Sequence, residues 1–314
     1  MLDPLKRSQP TDFRLAFYKG AKQFLLVLGI GLLIKFTLID SVIINGSQMS
    51  PVIEKGDRVV LFKTFYLPAL RSLLPGPSRG EPILCRLPGR SERSALRVAA
   101  VSGDTASMDS AVFFLGSTGE ARSEKPEDIL PPEYSPRDYM EPYTIPSPGD
   151  SVHFGGLSLR DFFFSFSVLK QENPESIYDL NVALLIDGTA NNTYFIKDFS
   201  LYQGKLDSIP DSLHYDWFFW DRLLEYLKMT DSGKNFKLDL TVRENGTAVE
   251  SFEVQDEYLF LLGDNRKKAL DSRYHGPIKA GAVTGRPFMT LWGQEERTAG
   301  NRSFSLSRFG RIIN

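Results

Sequence analysis

Residues 46–57 read GSQMSPVIEKGD and set two hydroxyls, Ser47 and Ser50, on either side of Gln48. A serine attacks a peptide carbonyl only when a neighbouring group takes its proton. A lysine does this when burial keeps it neutral, and a histidine does it without help. The sequence offers few such bases. No lysine lies between Lys63 and Lys125. Lys267 and Lys268 are adjacent on what reads as a turn, and an ammonium left in water keeps its proton near neutral pH. The histidines are His153, His214 and His275. Cys85 is the only cysteine, which excludes an intrachain disulfide and a cysteine-type metal site. No metal or cofactor is expected. The net charge of −2 gives no reason to expect nucleic acid as a partner.

The elements that would position these groups begin with an apolar run. Phe24–Ile44 is interrupted only by Lys35 and Asp40 among ionisable residues, and about 20 residues span a bilayer as a helix. Lys35 lies late enough to snorkel to an interface. Lys6, Arg7, Arg14, Lys19 and Lys22 precede the run against Asp3 and Asp12, which predicts a cytoplasmic N-terminus and an exported remainder. No small-x-small cleavage site follows, so the expectation is an uncleaved anchor in the inner membrane over 22–44, leading into the first strand, after a cytoplasmic segment 1–21.

Residues 45–105 and 250–293 read as short β-branched strands cut by Gly, Pro and charge, such as DRVVLFK, LRVAAVSGD and EYLFLLGDNR. Residues 106–249 read as an inserted α+β segment. It opens with a Pro-rich acidic loop and carries a helix with Trp217, Trp220, Leu224 and Leu227 at helical spacing. Residues 294–314 read as a polar, frayed tail.

The stretch GDNRKKALDSRYHGPI (263–278) resembles the most distinctive box of bacterial signal peptidase I, the S26 family of membrane-bound serine peptidases, whose pattern is G-D-N-R-x-x-S-x-D-S-R-x-x-G. Boxes similar to the family's others follow the family order: G-S-x-M-x-P with G-D-x-V at 46–59, R-G-E at 79–81 and R-V-x-x-x-x-G-D at 97–104. Gly285, Arg286 and Trp292 resemble its terminal pattern. The resemblance implies a mainly β, antiparallel core behind a single transmembrane helix, with 106–249 as a variable insert.

It also implies positions for the chemistry, and three of them hold the wrong side chain. The family nucleophile falls at Gln48, the lysine base at Leu96 and the supporting serine at Ala269. A carboxamide forms no acyl-enzyme, and leucine has no lone pair. Ser47, Ser50, Lys267 and Lys268 are the candidates for a migrated dyad. In an extended segment, however, a shift of one residue turns a side chain to the opposite face. His275 occupies a place where the family carries a bulky aromatic, and reads as packing. The scaffold residues persist: Met49, Pro51, Gly56, Asp57, Arg97, Gly103, Asp104, Gly263, Asp264, Asn265, Arg266, Asp271, Ser272 and Arg273. Asp271 and Arg273 are spaced for a buried ion pair, and Gly56 and Gly263 for turns.

The expectation is therefore a membrane-anchored signal peptidase I relative that has lost catalysis. Its expected partners are the lipid bilayer and either signal peptides and preproteins or an active signal peptidase. An active peptidase with a displaced dyad and a structural envelope-assembly protein are the alternatives.

Overall fold

The computed structural model describes residues 10–63, 76–110, 112–116, 139–298 and 301–313. The chain opens with helix α1 (Pro10–Thr37) and runs directly into strand β1 (Ile39–Ile43). Next come β2 (Arg58–Phe62), β3 (Pro82–Arg86) and β4 (Arg93–Val101). The middle of the chain supplies α2 (Leu159–Glu172), β5 (Tyr178–Ile186), α3 (Trp217–Thr230) and β6 (Phe236–Glu244). The chain then returns through β7 (Tyr258–Leu262), β8 (Ile278–Lys279) and the long β9 (Val283–Thr298). The main sheet has the order β1-β2-β9-β3-β4-β7-β8, with every neighbour antiparallel. The mainly β, antiparallel architecture expected from the sequence is the one observed.

Helix α1 corrects the expected anchor. The apolar stretch long enough to cross a bilayer is Leu15–Lys35, and none of it is buried within the protein. The run read as Phe24–Ile44 is thus two elements. Its last residues are β-branched, and Ile39–Ile43 pair with Phe62–Arg58 of β2, which ends the helix at Thr37. Lys19 and Lys22, expected as flanking charges, fall inside the span.

Strand β7 is buried on both faces and serves as a wall between two cores. Leu259 and Leu261 face a cluster with Ile83, Leu96, Val98 and Val283. Tyr258, Phe260 and Leu262 face a larger, aromatic cluster that includes α2 and α3. Those helices start where short polar side chains cap them: Ser158 accepts from Asp161 N–H, and Asp216 accepts from Phe218 N–H. On α3, Trp217, Trp220 and Leu227 are buried as their spacing predicts, but Leu223 takes the place expected of Leu224. The middle segment therefore shares its apolar core with β7. Full burial of each such aromatic or leucine side chain contributes about 1.5–3 kcal/mol.

The C-terminal segment is not frayed. Strand β9 continues past residue 293 and pairs with Asn301–Ser305. Ile313 is buried with Ile44, Met49 and Ile53. Arg308 places Nη2 at 3.0 Å from Asp57 Oδ2 and Nη1 at 2.9 Å from Glu54. The Arg308 guanidinium also donates to the carbonyls of Pro51 and Val52. Burial raises the pKa of Asp57, and Arg308 opposes that shift. Removing one partner of a buried charge pair is strongly destabilising. Arg308→Ala is expected to cost about 3 kcal/mol in urea unfolding of the domain that follows α1, and an effect within experimental error would show that the tail does not brace the core.

Candidate functional site

The retained boxes converge at the end of β7. There the chain passes from Leu262 through Gly263 into a turn over Asp264–Lys268, then a single helical turn, Ser272–His275. The hinge of this arrangement is buried. Asp271 and Arg273 have no exposed side-chain surface, and Arg273 Nε lies 2.8 Å from Asp271 Oδ1, with Nη2 3.0 Å from Oδ2. Asp271 Oδ2 also accepts the Gly263 N–H at 3.0 Å, and Arg273 Nη2 donates to the Arg266 carbonyl at 2.9 Å. Ser272 Oγ accepts the Leu261 N–H at 2.9 Å. The pair expected from spacing is therefore present, and its remaining hydrogen-bonding capacity locks the box onto β7.

Gly263 is required by close approach and not by a turn. A Cβ there would overlap that of Ala269 and lie 2.7 Å from the Gln48 carbonyl oxygen. Gly56, by contrast, does hold a positive φ of 94°. Through Gly263 the fold brings Gln48 and Ala269 together. The Gln48 carbonyl accepts the Asn265 N–H at 2.9 Å, and the Gln48 carboxamide folds toward Gly46. Gln48 also lines a small cleft with Asn45, Arg90, Arg93 and Ala95.

Leu96 is fully buried, in the cluster of Ile83, Val98 and Leu261. Its strand neighbour Ala95 is the residue of β4 that packs with Met49. Lys267 and Lys268 are exposed on the turn. Ser47 and Ser50 are half-buried, and residues 48–52 form a turn, with Ser50 N–H donating to the Ser47 carbonyl and Ile53 N–H to the Met49 carbonyl. The expected extended geometry therefore fails from Gln48 onward, because the Met49 side chain must turn inward to reach Ile53 and Leu84.

Further ion pairs tie the boxes together. Arg97 grips Asp264 bidentately at 2.8 Å and 2.8 Å and donates to the Gly80 carbonyl at 2.7 Å. Arg79 pairs with Asp104, which also accepts the Val101 N–H. Gly103 beside it has a φ of 84°. The partners of Arg97 and Arg79 were not assigned from the sequence. The recurrence of Arg and Asp in separate boxes was the available signal, but it does not say which pairs with which.

Arg266 is held down to about 10 by burial. His275 is also depressed by burial, then by Arg90, with Asp271 opposing, and its Nε2 is buried without a hydrogen-bond partner. Packing is the role its surroundings support.

Asp271→Ala leaves a buried guanidinium uncompensated and is expected to lower stability by about 3–5 kcal/mol in chemical denaturation. A loss below about 1 kcal/mol would place the pair in solvent. A His with a depressed folded pKa contributes stability that is complete above its unfolded value near 6.5 and is lost as pH falls toward the folded value. The melting temperature is therefore expected to drop between pH 7 and pH 5. His275→Gln should remove part of that drop, whereas an unchanged profile would detach it from His275.

Comparison with known proteins follows the geometry. No curated protein matches the chain. Among solved structures, a signal peptidase I from Enterococcus faecalis V583 is 15% identical, with 68% of this chain and 97% of that one covered and a TM-score of 0.24, a superposition too loose to bear on the fold. The family described as "Signal peptidase, peptidase S26" matches residues 181–292. That match begins in β5, within the segment expected as a variable insert, and takes in the whole box at 263–278; the boxes at 46–59 and 97–104 lie outside it. Over residues 181–292, from β5 into β9 and including the locked turn after β7, the chain is similar to the S26 signal peptidase family.

Proposed function

We propose that this protein is a catalytically silent signal peptidase relative, anchored in the inner membrane by α1 with the β domain exported, which holds signal peptides or preproteins at the Gln48 groove. One observation carries the reading. Where the turn over residues 48–52 meets the end of β7, the side chains are the Gln48 carboxamide and the Ala269 methyl, and Leu96 is sealed in an apolar cluster. Acyl transfer requires a nucleophile within reach of a base, and neither side chain supplies one. Peptide binding requires neither, because an extended segment can be held by main-chain hydrogen bonds and side-chain pockets. Lys267 and Lys268, exposed on the turn, lack the burial that would make either a base.

The position of α1 supports membrane attachment, and the basic residues ahead of Leu15 support a cytoplasmic N-terminus.

Incubating the solubilised protein with a signal-peptide-bearing preprotein is expected to yield no cleaved product, while a photocrosslinker placed at residue 48 captures the preprotein. The double variant Gln48→Ser with Leu96→Lys is expected to restore measurable cleavage. Cleavage by the wild type, abolished by Ser47→Ala or Ser50→Ala, would establish a displaced nucleophile and end this reading. Failure of the crosslinker to capture any preprotein would remove the binding role.

A further inference from the structure

A cleft of the size of a ligand site lies away from Gln48. It measures about 750 Å³ and opens between α2, the segment leading into α3, the β3–β4 loop and the helical turn that follows Asp271. The volume falls in the range of sites that take a ligand of drug or short-peptide size. Two of its walls, α2 and the β3–β4 loop, lie outside the residues 181–292 that the family model matches.

Its walls have a consistent chemistry. Phe166 and Tyr215 are stacked at 6.1 Å, with the Lys170 ammonium 5.4 Å and 5.0 Å from their ring centres. Trp217, 9% exposed, lines the cleft, and its Nε1 is buried without a hydrogen-bond partner. An indole N–H only donates, so leaving it buried and unmet is unfavourable until an acceptor oxygen arrives. His275 is a second wall residue with a buried, unpartnered ring nitrogen. The charges at the cleft are unbalanced: Arg86, Lys170 and Lys279 line it, against Asp211 as the carboxylate. Lys279 already meets Asp256, whereas Lys170 sits over aromatic rings. An occupant should therefore be apolar enough for aromatic walls, and should end in an anionic group that accepts from Trp217 and neutralises Lys170.

Location narrows the occupant further. Gly89 lines both this cleft and the one that Gln48 lines, so the two meet at the β3–β4 loop. A peptide chain is the polymer that both could engage, through main-chain bonds in one and its terminus in the other. We infer that the aromatic cleft binds the free C-terminal carboxylate of an apolar peptide, with Trp217 donating to the carboxylate, Lys170 opposing its charge and the stacked rings taking the apolar side chains. The choice of a peptide as occupant rests on the reading of the Gln48 groove, whereas the carboxylate site itself rests on the aromatic cleft alone.

The test uses the full chain in nanodiscs, so that detergent does not compete. A ten-residue apolar peptide is titrated as the free acid and as the C-terminal amide, with dodecanoate as a non-peptide carboxylate, and binding is followed by calorimetry and tryptophan fluorescence. The free acid is expected to bind at least tenfold more tightly than the amide and than dodecanoate. Trp217→Phe should weaken the acid at least fivefold and remove most of the fluorescence change. Lys170→Glu, at an exposed position, should weaken the acid at least tenfold and abolish the preference for acid over amide. Equal binding of acid and amide, or insensitivity to both substitutions, overturns the inference. Dodecanoate binding as tightly as the peptide acid overturns the peptide assignment. If photocapture at residue 48 fails while acid-selective binding persists, only the groove reading falls.

Discussion

The ion pair between Asp271 and Arg273 is the constraint around which the rest of the site is arranged. Two opposite charges with no exposed side-chain surface are tolerable only if every remaining donor and acceptor is met. The structure meets them with main chain: the Gly263 N–H on one side and the Arg266 carbonyl on the other. Satisfying the pair therefore fixes the path of residues 263–273. That path fixes the approach to Gln48, because Gly263 leaves room for the Gln48 carbonyl and Asn265 N–H donates to it. The site is positioned by a structural interaction that takes no part in peptide chemistry.

This separation explains how scaffold and chemistry come apart. The contacts that hold the 46–53 turn are made by the Met49 side chain in the core, by the Gln48 main chain and by Arg308 on the carbonyls of Pro51 and Val52. None depends on the identity of the side chain at position 48. At position 96 an apolar residue adds to a cluster that already contains Ile83, Val98 and Leu261, so leucine is a stabilising side chain there. A buried amine in the same place would have to lose its proton or its burial.

The middle segment extends the core and is not an appendage to it. Because β7 is covered on both faces, the aromatic cluster of α2 and α3 uses Tyr258, Phe260 and Leu262 as its floor. The cleft at its edge exists because large rings close over one another imperfectly where the insert meets the β3–β4 loop and the helical turn after Asp271. Two buried ring nitrogens left without partners there, on Trp217 and His275, are the polar cost of that junction.

Much of the architecture could be read from residues alone. Strands such as RVVLF and the long run of β4 announce themselves by β-branched residues between Gly-Asp turns, and the Asp271–Arg273 pair by its spacing, because these depend on neighbours in the chain. Helix α3 follows from local spacing for the same reason, with an error of one residue between Leu223 and Leu224. Tertiary structure decided what depends on distant partners. Hydropathy left the boundary between helix and first strand open; pairing with β2 fixes Ile39–Ile43 as the strand, and the membrane-length helix is Leu15–Lys35. The tail looks dispensable until Arg308 meets Asp57, some 250 residues earlier in the chain, and Ile313 meets Met49. The sequence by itself determined that Gln48, Leu96 and Ala269 lack the chemistry of a serine and a lysine, since that is a property of side-chain identity. Which of them meet, and that Leu96 and Ala95 look into different clusters, was decided by the pairing of β4 with β3 and β7, because a strand assigns its side chains to faces only when its partners do.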